Sequence, residues 1–494
     1  MRNIKTHEYF LKRRAGVLLH PTSIPVGSGQ GVLGEAATRF IDFLVKGGFS
    51  MWQMLPVQPV DEFSSPYQCT SAHAGNPDFI CKQKLAENSW MNMDGHPVDV
   101  DPSRLTLDAI GESLIKFEKF SSASQQSEFT SFKDKHANWL EDYALFCAIK
   151  AVHGGKPWWE WPHELCCRDE ITLDNFRLNH TQQLERTCFE QFIFFSQWRD
   201  VHQQARDKNI LLFGDMPMFT AHDSVDVWVH QRYFKLDDKG QPTVVAGVPP
   251  DYFSATGQRW GNPVYNWEAL SRDKFLWWLE RLDTQFELFD LVRMDHFRGY
   301  EATWEIPASS STAEHGEWKH VPGNALFDAL YDKYGDLPLV AEDLGIISSE
   351  VIKLRDNFKL PGMKVLQFAF DGDATNPYLP HHHVPAGLVC TGTHDNNTSL
   401  GWFNELDESV RKRLMDYLQN PTELMPWPLI RSALASVACI AVIPMQDIIG
   451  LDSSHRMNIP GTTTGNWKWR FDWECISTEM SAKLKHLNEM YDRC

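Results

Sequence analysis

The segment "LFDLVRMDHFRGYE" (288–301) runs from apolar residues into Arg293, Asp295, His296 and Arg298, four ionisable side chains within six positions. Three other apolar runs end the same way. "ILLFGDMP" (210–217) carries Asp215, "LPLVAED" (337–343) ends in Glu342 and Asp343, and "GLVCTGTHD" (387–395) ends in His394 and Asp395. Carboxylates gathered without metal-ligand spacing suit acid–base or nucleophilic chemistry on a polar, neutral substrate. Retaining glycoside chemistry needs two of them about 5–5.5 Å apart, one as nucleophile and one as proton donor. Crowding raises the pKa of one carboxyl and keeps it protonated as the acid. Arg293 stands two residues before Asp295, so on a strand both side chains project to one side, and the guanidinium keeps Asp295 ionised. Adjacent Glu342 and Asp343 cannot both point inward, which makes one of them structural. Taken singly, an aspartate at a strand end is more often a helix cap or a loop salt bridge. Asp215 stays open between capping the next turn and joining the site.

These side chains converge only if their strands lie side by side. Eight apolar runs of strand length recur: 16–21, 51–57, 210–217, 288–295, 337–343, 363–370, 387–395 and 438–447. They are continuous rather than alternating, as parallel strands covered on both faces require. "AATRFIDFLVKGG" (36–48) reads as the first crossover helix, closed by its glycines. The expected fold is α/β, a (β/α)8 TIM barrel with a helical subdomain and long loops inserted, the barrel drawing on the whole chain, 1–494. In that fold the carboxyl ends of the strands form one rim, and four of the eight runs deliver carboxylates to it.

The stretch between the second and third runs is far longer than a normal connection. Helical stripes run through it: Trp139, Tyr143, Phe146 and Cys147, then Leu184, Cys188, Phe192 and Phe195, continued by Val201 and Ala205. A helical subdomain is therefore expected at 84–205, and an inserted loop region at 218–270.

Composition narrows the function. Sixty-five Asp and Glu against 47 Lys and Arg give a net charge of −18, which argues against nucleic acid or another polyanion as partner. No signal peptide is evident, and the longest apolar run, near 436–445, is too short to span a bilayer. Ten cysteines without C-x-x-C spacing read as reduced thiols, and the expected location is the cytoplasm. No metal is expected. The run His381, His382, His383 is consecutive and cannot converge on one ion, and a metal-dependent barrel would want His-x-His where "LLHPTS" offers His20 alone. Nineteen tryptophans supply flat faces on which sugars stack.

The motifs "GVLLHPTSIP", "SPYQCTSAHAGNP", "GDMPMFTAHDSVDVW", "GVPPDYFSATGQRWGNPVYNW", "VRMDHFRGYEATWEIPA", "AEDLG", "TGTHDNNT" and "RMNIPGTTTGNWKWR" are spread from 16 to 470. Together they resemble 4-α-glucanotransferases (amylomaltases or disproportionating enzymes) of glycoside hydrolase family 77. The resemblance implies a retaining transfer of α-1,4-glucan segments from a donor maltooligosaccharide to the 4-hydroxyl of an acceptor, without a cofactor. It implies Asp295 as nucleophile, Glu342 rather than Asp343 as general acid/base, and Asp395 as the stabiliser of the transition state. It adds Arg293 and His394 as contacts to the nucleophile and the donor sugar, and Tyr67 as packing on that sugar; Asp215 is counted with the substrate-binding residues. Tyr252, Phe253 and Trp260 are implied as contacts from an overhanging loop at 247–267, beneath which Tyr265 and Trp267 pack, and Asn466 closes the site from the C-terminal end. The chain departs from the family pattern at Ala255, usually acidic, Arg259, usually apolar, and Asn266, usually Asp. Two alternatives stay open: an α-glucan hydrolase, in which water replaces the acceptor, and a glucan-binding protein without catalysis. The oligomeric state is not legible.

Overall fold

The structure is a computed structural model that describes every residue except 1–3, 27, 28, 30, 62, 63, 92–106, 251–253, 346 and 463. Tyr252 and Phe253 lie outside the described residues.

Eight parallel strands form the central sheet: β1 (Arg14–Leu18), β2 (Met51–Gln53), β3 (Leu211–Met216), β6 (Leu291–Met294), β9 (Leu339–Ala341), β10 (Gly362–Val365), β11 (Gly387–Cys390) and β12 (Ile440–Pro444). They are ordered β10-β11-β12-β1-β2-β3-β6-β9. The Ala341 N–H donates to Pro361 O at 2.8 Å across the remaining seam, so the sheet curls into a nearly closed barrel. The (β/α)8 architecture expected from the eight apolar runs is the one observed.

Alternation along each strand sorts side chains into two layers. Leu18, Met51, Phe213, Leu291, Val340, Met363, Leu388 and Val442 pack with one another in one buried cluster, the filling of the barrel. Val17, Trp52, Leu212, Val292, Leu339, Val389 and Ala441 belong to the larger cluster formed with the helices. That period places the catalytic candidates. Counting in twos from Phe213 and Leu291 leads to Asp215 and Arg293, which stand opposite each other in the β3–β6 register. Two more residues lead to Asp295, and two from Val340 lead to Glu342. Gly214 is needed where it stands, because a Cβ there would lie 2.3 Å from the Phe289 ring.

Between β2 and β3 run the helices Leu107–Phe120, Ala123–Lys135, Leu140–Val152, Glu170–Asn179 and Thr181–Asp207. The last spans 27 residues and buries Cys188, Phe192 and Phe195 on one stripe. Its far end locks onto the barrel: Trp198 Nε1 donates to Leu288 O at 2.8 Å, and Arg206 holds Asp290 at 2.8 Å. Gln191 and Gln197 of this helix each hydrogen-bond both backbone groups of a single residue, Gly75 and Cys81, and so fix the loop that follows β2.

The span 218–270, expected as a loop, contains two strands. β4 (Val244–Val248) and β5 (Gln258–Pro263) join β7 (Ala302–Pro307) and β8 (Glu317–His320) in an antiparallel sheet ordered β5-β4-β7-β8. The strands are short and interrupted by glycine and proline, and β4 finds its partner β7 beyond the "VRMDHF" motif. Local pattern carries no signal for such a pairing.

Candidate active site

Arg293 is the hub. Its Nη1 donates to both carboxylate oxygens of Asp215 at 2.7 Å and lies 2.9 Å from Asp295 Oδ1, while its Nη2 stands 4.0 Å from Glu342 Oε2. One guanidinium thus touches two carboxylates and faces a third. Burial works against its charge, but Asp215 and Asp295 raise its pKa further above the ordinary value, so it stays a cation. Burial pushes the Asp215 carboxyl up, with the guanidinium in contact opposing the rise and Asp295 adding to it. Asp215 is buried in the barrel mouth rather than capping a turn, and it accepts a hydrogen bond from the Tyr67 hydroxyl at 2.8 Å.

Glu342 takes the opposite electrostatic turn. Burial pushes its carboxyl up to about 8, with Arg293 opposing and Asp295 adding to the rise. It is therefore protonated at neutral pH beside an Asp295 held against a cation. Glu342 Oε2 accepts the His296 N–H at 2.7 Å, and Oε1 accepts the Leu344 N–H at 3.2 Å. Its neighbour Asp343 points outward, ion-paired to Arg355 and accepting the Met363 N–H at 2.7 Å. The alternation of the strand has separated the two adjacent acids.

The third carboxylate sits across the mouth. Asp395 Oδ2 lies 3.1 Å from His394 Nε2, and Oδ1 accepts a hydrogen bond from Asn458 Nδ2 at 2.6 Å. Desolvation would raise its pKa, but His394 and Asn458 hold it down at about 2. The His394 ring stacks on Tyr67 with centroids 5.1 Å apart and planes 16° apart, and Trp467 tilts against both. Tyr67 therefore joins the Asp215 and Asp395 sides of the mouth.

Trp260, half-buried on β5, stands edge-to-face with His296 at 4.8 Å. It is brought to the site through that ring. Tyr265 and Trp267 are buried beneath, the Tyr265 hydroxyl donating to Met218 O at 2.9 Å. Asn466 is spent within its own loop: its Oδ1 accepts the Ile459 N–H and its Nδ2 donates to Thr462 O, both at 3.0 Å. It braces the segment that carries Asn458 and Trp467. Asn458 and Arg456, whose Nη2 donates to Asp395 O at 2.8 Å, are site residues that sequence reasoning missed. Their motif, "RMNIPGTTTGNW", was visible, but nothing in its spacing says which polar side chain reaches 395.

Among the described residues no group of three or more His, Cys, Asp or Glu could hold a metal ion. The histidine run bonds to its surroundings instead. His381 and His382 both contact Ala374 O, and His383 lies 2.7 Å from Ser436 Oγ.

A family model described as 4-alpha-glucanotransferase matches residues 19–476. The chain belongs to that family. It is 46% identical to the 4-alpha-glucanotransferase of Thermus thermophilus over 98% of this chain and 99% of the relative. It is 40% identical to the chloroplastic/amyloplastic 4-alpha-glucanotransferase of Solanum tuberosum over 97% of this chain and 86% of the relative. Among solved structures it is similar to the amylomaltase from Streptococcus agalactiae in complex with acarbose, with a TM-score of 0.92 and 34% identity, covering 98% of this chain and all of that one. The chain is thus an enzyme of the 4-alpha-glucanotransferase family.

Two of its departures from the family pattern have a local account. Asn266, where 4-alpha-glucanotransferases usually carry Asp, caps the helix Trp267–Arg272 by accepting the Ala269 N–H, a task either side chain performs. Arg259, usually apolar, is exposed on β5 and donates to Ala308 O at 3.1 Å, tying that strand to the end of β7.

Proposed function

We propose that the protein is a retaining 4-alpha-glucanotransferase that moves α-1,4-glucan segments between maltooligosaccharides through a covalent glucosyl-enzyme ester. Asp295 is the nucleophile. With Oδ1 held by Arg293, its other oxygen attacks the anomeric carbon while the bond to the departing glycosidic oxygen breaks. Glu342 gives its proton to that oxygen, and the reducing-end portion leaves as a free glucan. The 4-hydroxyl of an acceptor then attacks the same carbon, Glu342 takes its proton, and the ester to Asp295 opens. Asp395, held ionised, stabilises the positive charge that develops on the sugar in both steps.

The observation that carries this reading is the contrast around Arg293, a contacted Asp295 beside a Glu342 pushed up to about 8. A nucleophile and a proton donor need those opposite states at one pH. Tyr67 and His394 offer a stacked wall for the donor sugar. Trp260 serves the glucan chain from β5, Tyr252 and Phe253 are further contacts to it, and Asn466 serves it by bracing the segment that carries Asn458 and Trp467. The inserted helices at 84–205 act as a scaffold for the loop after β2. All ten cysteines are free thiols, which suits a reducing compartment such as the cytoplasm. The acarbose on the Streptococcus agalactiae amylomaltase makes acarbose the inhibitor to try.

The test is incubation of the purified protein with maltotriose alone, chelator present, and separation of the products by chain length. Glucose together with maltotetraose and longer chains is expected. Glucose and maltose alone would make the protein a hydrolase and remove the acceptor role of the loop.

A further inference from the structure

His296, directly after Asp295, has φ 47° and ψ 54°, a left-handed conformation that β-branched residues essentially do not adopt. Its surroundings enforce it. The Asp295 N–H donates to Met216 O at 3.1 Å, the Glu342 N–H to Met294 O at 3.1 Å and the Phe297 N–H to Glu342 O at 3.0 Å. Between these ladder bonds the His296 N–H turns out of the ladder and donates at 2.7 Å to the Glu342 side chain. Gly299 leaves room for the turn, since a Cβ there would lie 2.9 Å from His296 Cδ2. The imidazole is wedged against Trp260, burial lowers its pKa to about 4, and its Nε2 is buried with no partner among the described residues. The ring is therefore neutral and adds no charge beside Asp295.

The two oxygens of Glu342 are consequently unlike. Oε2 receives the short bond from His296 and faces Arg293 Nη2 at 4.0 Å; among the described residues Oε1 receives the longer bond of the Leu344 N–H at 3.2 Å. A proton on Oε2 would meet an N–H donor and a cation, so the carbonyl character settles there. We propose that His296 is a positioning residue for Glu342: its left-handed backbone aims the N–H at Oε2 and leaves the transferable proton on Oε1. The inference rests on the acid/base reading of Glu342 given above. It also accounts for a strained residue between two strands that otherwise run in register, since strain at such a place persists only where the surroundings enforce it.

The variants His296→Asn, His296→Gly and His296→Val separate backbone from ring. All three lose the imidazole, but Asn and Gly accept the left-handed conformation and Val does not. Each is assayed in the full-length protein with maltotriose. Each is also assayed for first-turnover fluoride release from α-maltosyl fluoride, a donor whose leaving group needs little protonation. His296→Val is expected to fall about tenfold or more below the other two in kcat on maltotriose, the usual range for misplaced acid catalysis beginning there or higher. Its KM is expected to stay near theirs, and the gap is expected to narrow on the fluoride. The alkaline limb of its kcat/KM profile should also move up, because the anionic form of Glu342 has lost a donor. Equal rates for the three variants would overturn the proposal, as would a deficit of the same size on both donors with an unmoved limb. Should His296→Val fail to fold, His296→Ala, also strained at this φ, is read in its place on the same two donors. Glu342→Gln is the companion measurement. Equal loss on maltotriose and on the fluoride would remove the acid reading of Glu342 itself, whatever His296 does.

Discussion

Asn458 donates to Asp395 Oδ1 at 2.6 Å across 63 positions of the chain, on the opposite side of the carboxylate from His394. The two contacts fix the plane of the Asp395 carboxylate before any sugar arrives, so the stabilising charge needs no reorganisation during reaction. Hydrogen bonds to a charged group contribute about 1.5–3 kcal/mol, and Asn458→Ala is expected to lower kcat by roughly 10- to 100-fold. Loss of the donor also raises the Asp395 pKa. The acidic limb of the kcat/KM profile therefore moves to higher pH. A variant with reduced kcat and an unmoved acidic limb would show that Asn458 supports the loop and not the carboxylate.

The contrast between Asn458 and Arg293 explains what the sequence could disclose. Arg293 and Asp295 are two residues apart on one strand, so their shared side follows from the period of a strand; Asp215 stays open in the sequence between cap and site, and the family resemblance, not the spacing, selects Glu342 over Asp343. Eight continuous apolar runs make those strands legible because each is buried on both faces. The runs overshoot the observed strands where proline and polar residues peel away, as at His20 and Pro21 after β1. Asn458 lies in a glycine- and threonine-rich loop whose path is set by contacts with distant residues. The β4–β7 pairing is hidden for the same reason. The left-handed turn at His296 is invisible too, because the barrel rim imposes it and no local preference does.

Arg293→Lys tests the hub. A lysine ammonium has no second nitrogen to set 4.0 Å from Glu342 Oε2, and it lacks the fixed plane that holds Nη1 at 2.7 Å from Asp215 and 2.9 Å from Asp295. The buried Asp215 and the partly exposed Asp295 then share a poorly placed cation. The expected loss in kcat is about 10²–10³-fold, the range for removing a preorganised electrostatic contact. Thermal stability should fall as well, because a broken buried pair leaves charge uncompensated. Near-normal turnover in this variant would mean that Asp295 does not depend on Arg293 for its placement.

Glu342 gives the pH behaviour. Its carboxyl rises from an ordinary 4.5 to about 8, so the free enzyme loses its acid as pH passes through about 8 and kcat/KM falls there. The same shift has a stability consequence with a defined sign. Between 4.5 and 8 the folded chain holds a proton that the unfolded chain releases, so this group's contribution to stability declines as pH rises through that window. Glu342→Gln removes the ionisation. The variant should match the parent below pH 4.5 and become the more stable of the two as pH rises, by ~1–3 kcal/mol near pH 8. Melting temperatures of both proteins from pH 4 to 9 check it; a constant offset would mean that Glu342 is not held protonated by the fold.

In the proposed mechanism Trp260 decides between acceptor and water. It sits on β5, half-buried, with its ring against His296, the residue whose N–H meets Glu342. In that mechanism a pyranose stacked on the indole places the 4-hydroxyl and excludes water from the ester, whereas the donor sugar rests on the stacked Tyr67 and His394. Trp260→Ala should therefore leave first-turnover release of the leaving group within about threefold of the parent while lowering the ratio of transfer to hydrolysis by roughly tenfold, a loss of the size expected for one aromatic contact. Free glucose and maltose would accumulate from maltotriose at the expense of longer chains. Added glucose should restore transfer in part, because a higher acceptor concentration compensates for weaker acceptor binding. If the ratio stays constant while the donor KM rises, Trp260 belongs to the donor side and the overhanging loop does not select the acceptor.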